Sequence, residues 1–307
     1  MAGLYSSKVT PTDRRKAFRA SLNDSKITRL PGAFSPLVAR AIQEKGFEGV
    51  YVSGAVVAAD LALPDIGLTT LTEVAGRARQ IARATDLPVL VDADTGFGEP
   101  MSAARTISEF EDAGVAGCHL EDQVNPKRCG HLDGKEVVPT DVMLRRIGAA
   151  VKERRDDQFV ICARTDAAGV EGIDSAIERA KAYADAGADL IFTEALHTPE
   201  EFAKFRAAVD IPLLANMTEF GKSELLSAQE LEDLGMNAVI YQVTTLRIAM
   251  GQVEEALGDI AETGTQKEWL ERMQHRSRLY ELLRYDEYNE FDQGVFTYSR
   301  ESYDPNK

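Results

Sequence analysis

Cysteine is scarce in this chain of 307 residues, which has only Cys118, Cys129 and Cys162. An odd, low number in a chain of this size argues against a secreted disulfide framework and for a reducing, cytoplasmic setting. Long apolar runs are missing too. None approaches the roughly 20 residues that a membrane-spanning helix requires, and Met1 to Arg19 lacks the apolar stretch of a secretory leader, so none is expected. Positive charge is outnumbered, with 35 Lys and Arg against 50 Asp and Glu, a formal charge of -15 and a pI near 4.8. A field of that sign repels polyanions, which excludes nucleic acid and anionic membrane as expected partners. Small acids remain open, because a few arginines gathered locally can grip carboxylates bidentately. Linker-like and low-complexity stretches are also absent. One domain over 1–307 is therefore expected, with 44% hydrophobic content to build its core.

What is present is a repeat of short apolar runs and helical periods. The runs are Ile27–Leu30, Gly49–Gly54, Pro88–Asp94, Val115–Leu120, Phe159–Arg164, Asp189–Glu194, Ile211–Asn216 and Asn237–Tyr241. Between them lie helical patterns: Leu37 onward, capped by Ser35-Pro36 and ended by Gly46, then Thr72 to about Thr85 and Met101–Asp112. The series continues with Asp141–Arg155, Asp174–Ala186, Pro199–Val209, Ala228–Leu234 and Thr244–Ala261. The stretch from Gly54 to Leu63 reads as a small-residue connection. Eight strands without a polar face, alternating with eight helices, imply parallel pairing buried on both sides. The count selects a (β/α)8 TIM-type barrel, for which about 250 residues is typical. Residues 1–24 are then an N-terminal arm and helix, and 265–307 a C-terminal helical extension. The apolar side chains of that extension, from Trp269 to Tyr285, need cover from a barrel, that of a neighbouring subunit included.

In such barrels the reacting groups lie at the C-terminal ends of the strands. Ser53, Asp92, Asp94, Glu121, Arg164, Glu194, Asn216, Thr218 and Tyr241 all fall there. Asp92 and Asp94 alternate about Ala93 and so share a face. Two like charges need a counter-ion. A hard divalent cation, Mg²⁺ or Mn²⁺, is one answer, and an arginine or a helix cap is the other; Asp65 and Glu121 at neighbouring strand ends weigh toward the metal. Arg164 ends an apolar strand and must meet an acid, with Glu194 the ordinary partner, or a substrate carboxylate. His119 alternates into its strand as an interior partner for an acid. Gly96-Phe97-Gly98 is followed by no Gly-Lys-Ser/Thr and reads as a tight turn.

The connection from Asp122 to about Thr140 is far longer than the roughly 2–6 residues usual between a strand and the next helix, and such loops are commonly functional. At its centre Cys129 is flanked by Lys127, Arg128 and His131, a field that favours thiolate. Cys118 and Cys162, inside apolar strands, read as buried small hydrophobes.

The segment Lys127-Arg128-Cys129-Gly130-His131, preceded by Val91-Asp92-Ala93-Asp94-Thr95-Gly96-Phe97-Gly98, resembles the lyase branch of the isocitrate lyase and phosphoenolpyruvate mutase superfamily. The likeness runs from Lys16-Ala17-Phe18-Arg19 to Gly264-Thr265-Gln266. It implies a Mg²⁺-dependent carbon–carbon lyase that cleaves 2-methylisocitrate, a tricarboxylate, to pyruvate and succinate, a step of propionate catabolism in the methylcitrate cycle. Isocitrate cleavage and oxaloacetate-decarboxylase-type activity are alternatives on the same scaffold. A catalytically silent dicarboxylate-binding barrel is the alternative of another class. The resemblance assigns the metal to Asp92 and Asp94, with Asp65 and Glu121 nearby, partly through water. It assigns the substrate to Ser53, Gly54, Ala55, Lys127, Arg128, Gly130, His131, Arg164, Glu194, Asn216, Met217, Thr218, Arg247 and Arg276. Cys129 becomes the general acid, with Tyr51 considered as the base and Arg164 as a catalytic partner. Relatives often carry further glycines after the serine, where this chain has Ser53-Gly54-Ala55-Val56-Val57. The family forms tetramers whose last helix packs on a neighbour, so a homotetramer is expected.

Overall fold

The computed structural model describes residues 4, 7–128, 134–221 and 223–296. The chain divides into two compact units, 7–249 and 1–6 with 250–307. In the first unit, α1 (Pro11–Ser21) and β1 (Thr28–Pro31) are followed by α2 (Pro36–Glu44), β2 (Val50–Val52), α3 (Gly54–Asp60), α4 (Leu71–Ala84) and β3 (Val89–Asp92). Next come α5 (Pro100–Ala113), β4 (Gly117–Glu121), α6 (Thr140–Glu153), β5 (Val160–Thr165), α7 (Ile173–Asp185) and β6 (Leu190–Thr193). α8 (Pro199–Ala208), β7 (Leu213–Asn216), α9 (Ala228–Asp233) and β8 (Ala238–Tyr241) complete the repeat, and α10 (Thr244–Thr263) leads into the second unit.

All eight strands are parallel, in the order β1-β8-β7-β6-β5-β4-β3-β2. The remaining seam, between β1 and β2, is drawn together by a bridge from Gly32 to Tyr51 and by Ala33 N–H donating to Tyr51 O at 2.9 Å. Gly32 is required at that seam: a Cβ there would stand 2.0 Å from the Gln242 carbonyl oxygen. The result is the (β/α)8 barrel that the alternation implies.

Strand side chains alternate between two layers. Leu30, Tyr51, Leu90, Val160, Cys162, Phe192, Leu214 and Ile240 fill the barrel interior, and Phe18 and Leu22 of α1 pack with them. Val89, Val91, Cys118, Leu120, Ile161 and Ala163 face the surrounding helices instead. Burial raises both the Cys118 and Cys162 thiols, so they remain inert small apolar groups, as expected. α1 is held under the barrel by Arg14, whose guanidinium donates to the carbonyls of Ala82, Thr85 and Gly114 near the ends of α4 and α5.

Two local differences from the sequence reading have physical causes. α3 forms where a connection was expected: Val56, Val57 and Ala58 are buried together, so the run shows no contrast between apolar and polar faces. α4 is capped by a reciprocal Thr70–Glu73 box rather than opened at Thr72. In the second unit, α11 (Arg276–Leu283) and α12 (Tyr285–Phe296) follow a short 3-10 turn at Lys267–Arg272. α10 and α12 bury none of their residues, and Leu257, Leu270 and Phe291 are more than half exposed. No described helix is long and apolar enough to cross a membrane.

Phe18 is fully buried in the barrel interior although it lies on a helix that precedes the first strand. Phe18→Ala should lower the unfolding free energy by about 3–5 kcal/mol, read as a fall in the urea midpoint at unchanged slope. A loss below about 1 kcal/mol would mean that α1 is only an ornament on the barrel.

Candidate active site

The layer alternation continues past the apolar interior to the C-terminal strand ends. Tyr51 is followed by Ser53, Leu90 by Asp92, His119 by Glu121, Cys162 by Arg164, Phe192 by Glu194 and Leu214 by Asn216, all buried. Strand geometry thus places a band of charge directly above an apolar floor.

Asp92 and Asp94 meet, though not through the pleat alone. β3 ends at Asp92, and Asp94 lies beyond it at φ 46°, in the left-handed region that Asp tolerates. That turn lets Asp94 N–H donate to Asp92 Oδ1 at 3.0 Å, while Gly54 N–H donates to Asp92 Oδ2 at 3.0 Å. A Cβ at Gly54 would come within 3.0 Å of the same oxygen, so the close approach of α3 suits glycine. Lys127 reaches in from the long connection, its Nζ 2.5 Å from Asp65 Oδ1 and 2.7 Å from Asp94 Oδ1. The ammonium is thus the protein's own counter-ion for the acids.

Arg164 is gripped bidentately by Asp166, Nε to Oδ2 at 2.9 Å and Nη2 to Oδ1 at 3.0 Å. Its Nη1 lies 3.4 Å from Glu121 Oε2 and 3.7 Å from Glu194 Oε2, and its guanidinium stacks over Phe192. Glu194 is therefore a neighbour, and Asp166 the principal partner. Asn216 donates to Glu194 at 3.3 Å. Tyr51 Oη and His119 Nε2 are 2.7 Å apart, with Asp92 Oδ1 3.6 Å from the same nitrogen.

The electrostatics follow from burial. Desolvation pushes the Glu121 carboxyl well above its ordinary range and takes Asp94 up to about 6, Lys127 only partly opposing it. For Asp92 the burial penalty is overcome by His119, Lys127 and Arg164, which hold it at about 2. Desolvation drops His119 to about 4, and with Asp92 beside it raises Tyr51 well above 10. A hydroxyl so raised keeps its proton, so Tyr51 acts on His119 as a hydrogen-bonding partner.

The connection after β4 is clamped at both ends. Asp122 faces away from the interior and accepts from Thr165 Oγ1 and Tyr183 Oη at 2.8 Å and from Asp166 N–H at 2.9 Å. Val138 N–H donates to Asp122 O, and Arg179 Nη1 donates to Val138 O, each at 2.8 Å. The Gln123 amide brackets the Arg128 backbone, accepting from its N–H at 2.8 Å and donating to its O at 2.9 Å. Arg128 itself is exposed. Cys129, Gly130 and His131, between these anchors, lie outside the described residues.

Of the other expected substrate contacts, Thr218 is buried and accepts from Gln242 Nε2 at 3.1 Å. Met217 packs in the outer layer, where its sulfur accepts from Leu226 N–H, and Ala55 is half-buried in the first turn of α3. Arg247 pairs with Glu219 at 3.0 Å and is half exposed. Arg276 opens α11 in the second unit. Asp166 stands at the end of β5, where the sequence places it without a role, and Lys135, whose Nζ is 3.2 Å from Asp166 Oδ1, was not assigned from the sequence. Asp166 continues the interior parity of β5 and was legible on that ground, whereas Lys135 carries no sequence signal. A cavity of about 700 Å³ opens beside Asp94, lined by Thr69, Thr70, Thr95, Ser102 and Arg105.

The donor set fits a small hard dication. Asp65, Asp92, Asp94 and Glu121 offer oxygen only, and Glu121 Oε1 is buried with no hydrogen-bond partner among the described residues. Among the described residues no three His, Cys, Asp or Glu side chains are gathered closely enough to ligate one ion together.

The family model described as phosphoenolpyruvate phosphomutase matches residues 18–261. A curated protein of Corynebacterium glutamicum named "Probable 2-methylisocitrate lyase 2" is 83% identical over 305 residues, 99% of each chain. A solved structure of oxaloacetate acetylhydrolase with 3,3-difluorooxalacetate has TM-score 0.87 and 35% identity, covering 94% of this chain and 99% of that one. A phosphonopyruvate hydrolase complex with oxalate and Mg++ has TM-score 0.82 and 27% identity, over 93% and 99% of the two chains.

Because His119 sits near 4 in the folded barrel and near 6.5 when free, the unfolded chain takes the proton first as pH falls. Its contribution is complete above about 6.5 and is lost on the way down to 4. Between pH 7.5 and 5 this amounts to about 2 kcal/mol. Urea unfolding in EDTA at both pH values should show this contribution as the difference between the two proteins, the wild type losing more stability on acidification than His119→Asn, while the raised carboxyls of Asp94 and Glu121 act in the opposite sense in both. Equal pH dependence in the two proteins would remove His119 from the account.

Proposed function

The chain belongs to the phosphoenolpyruvate phosphomutase family, and from that premise we propose that it is a Mg²⁺-dependent carbon–carbon lyase cleaving 2-methylisocitrate to pyruvate and succinate. What carries the reading is identity of 83% along practically the whole chain to the protein named "Probable 2-methylisocitrate lyase 2". The buried oxygen donors Asp92, Asp94 and Glu121, beside the Arg164 guanidinium, support it.

In this reading Ser53 Oγ, buried without a hydrogen-bond partner among the described residues, and the amides of the α3 turn receive the pyruvate end of the substrate. Arg164 offers a substrate carboxylate the Nη1 edge that Glu121 and Glu194 face, and Asn216 donates to Glu194 beside it. Asp92 and Asp94, with Asp65 and Glu121 through water, would hold Mg²⁺. The ion supplies, when bound, a dipositive charge that acidifies the 2-hydroxyl and favours the carbonyl product. Lys127, paired with Asp65 and Asp94, holds the connection over this region. Cys129 is the acid that protonates the succinate carbanion, and the cations around it poise the thiol between donor and thiolate. Cleavage also transfers the 2-hydroxyl proton to a base, in this reading a carboxylate of the Asp92, Asp94 and Glu121 group, because Tyr51 keeps its own proton and orients His119 beneath Asp92. Lys127 to His131, Thr218 and Arg247 complete the proposed pocket.

A cytoplasmic location suits the free, buried Cys118 and Cys162. The apolar side chains left exposed on α10 to α12 support assembly of several copies, in this proposal a homotetramer.

The test is to measure pyruvate and succinate from 2-methylisocitrate beside glyoxylate from isocitrate, each with Mg²⁺ and with EDTA. Pyruvate should dominate and disappear with EDTA. Dominant glyoxylate would move the chain to isocitrate cleavage, and no product from either would end the lyase reading. Cys129→Ser should still bind substrate while kcat falls by about 100-fold or more; near-wild-type turnover would take the acid role from Cys129.

A further inference from the structure

β4 and β5 are paired residue for residue from Gly117 and Val160 up to Glu121 and Arg164, two side chains of the barrel mouth. Beyond that pair the regular ladder ends. Its hydrogen bonds recur every second residue, beginning with Val160 N–H on Ala116 O at 3.0 Å, and three such steps bring Asp166 N–H to Asp122 O. That carbonyl is already engaged, since it accepts from Val138 N–H at 2.8 Å. The Asp122 side chain answers instead, its Oδ1 accepting from Asp166 N–H at 2.9 Å. A carboxylate thus adds one rung to the strand pairing where the backbone no longer supplies it.

The other oxygen is used as fully. Asp122 Oδ2 accepts from Thr165 Oγ1 and Tyr183 Oη at 2.8 Å each, and Arg179 Nη1 stands 3.5 Å away. Thr165 Oγ1 in turn accepts from Ala167 N–H at 3.3 Å, so the three residues after Arg164 are all tied to one buried acid. What the tie controls is the guanidinium. Asp166 grips Arg164 bidentately through Nε at 2.9 Å and Nη2 at 3.0 Å, which leaves Nη1 as the edge turned to Glu121 and Glu194. Because a guanidinium is planar and its donors form a rigid fork, turning the Asp166 carboxylate turns the free edge with it. Lys135 Nζ, 3.2 Å from Asp166 Oδ1, adds charge to that carboxylate. The direction in which the carboxylate leaves the chain is set by the backbone, and Asp122 holds the backbone.

We propose that Asp122 is a positioning residue for carboxylate binding: by fixing the chain at Asp166 it directs the Nη1 edge of Arg164 into the barrel mouth. The proposal rests on the lyase reading, in which that edge takes a substrate carboxylate. A grip that is equally strong in substrate and transition state appears in KM and not in kcat. Misdirection of Arg164 therefore raises KM, whereas partial unfolding lowers the active fraction, and with it kcat, at unchanged KM.

Asp122→Ala, Asp122→Asn and Tyr183→Phe test this, with kcat and KM for 2-methylisocitrate, the dissociation constants of pyruvate and of succinate in Mg²⁺, and thermal midpoints. Asp122→Ala should raise KM about tenfold or more and weaken at least one of the two acids to the same degree, with kcat within about threefold of wild type. Asp122→Asn keeps an oxygen for the Asp166 N–H and should restore most of that binding. Tyr183→Phe removes a donor to Oδ2 alone, and should leave KM and both dissociation constants near wild type even where its thermal midpoint falls. Should Asp122→Ala fail to fold, Asp122→Ser is read in its place, since water can satisfy the two hydroxyls there while the shorter side chain falls short of the Asp166 N–H. Wild-type KM and dissociation constants in the Ala or Ser variant would overturn the proposal. So would a rise that asparagine does not restore, or an equal rise in Tyr183→Phe. If the wild-type protein forms no pyruvate, the lyase reading falls and the dissociation constants alone decide. Weaker binding of either acid in Asp122→Ala then keeps the positioning role; binding unchanged by the substitution, or absent in the wild type as well, ends it.

Discussion

Carboxylates forced out of water at the mouth of the barrel are the constraint on which the rest depends. Asp92, Asp94, Glu121, Asp166 and Glu194 are each at most 5% exposed, and an isolated buried carboxylate would simply protonate. Each must find a cation or a proton. Arg164 serves Asp166, Glu121 and Glu194, Lys127 serves Asp94 and Asp65, and Lys135 shares Asp166. The balance still leaves acid in excess, since Glu121 and Asp94 are pushed upward while Asp92 is held low. A site with surplus buried oxygen donors is one that a dication relieves, so the metal reading and the pKa pattern have the same origin.

The barrel makes that arrangement possible because its interior and its mouth are built by one alternation. The rule that sends Leu90 and Phe192 into the apolar floor sends Asp92 and Glu194 into the band above it. Strand side chains held on eight sides are rigid platforms, which is what precise placement of charge requires. The cations are less uniformly anchored: Arg164 stands on β5, but Lys127 and Lys135 arrive on a connection whose stems are fixed by Asp122, Gln123 and Arg179. Part of the charge balance of the mouth therefore depends on where that connection sits.

Membership of the family also bounds what the site can be. Family relatives with solved structures carry names for different reactions on small oxo acids, oxaloacetate acetylhydrolase and phosphonopyruvate hydrolase among them. A barrel shared by proteins of different named activities is a scaffold, and the chemistry is set by the side chains that its strand ends and connections carry.

The sequence alone determined the fold class, because eight apolar runs at regular spacing have one economical closure, and it determined which strand ends carry charge, because period two is visible in the letters. It also showed an unusually long connection after the fourth strand, with Lys127, Arg128, Cys129 and His131 gathered in it. Only the tertiary structure decided the pairings. That Arg164 belongs mainly to Asp166, that Lys127 answers Asp65 and Asp94, that Lys135 is buried at all, and that α3 brings an amide to Asp92 are contacts between segments brought together by closure of the barrel. Periodicity reports which way a side chain points along its own strand. It carries no record of the neighbour that waits there, which depends on register between strands and on where a loop folds back.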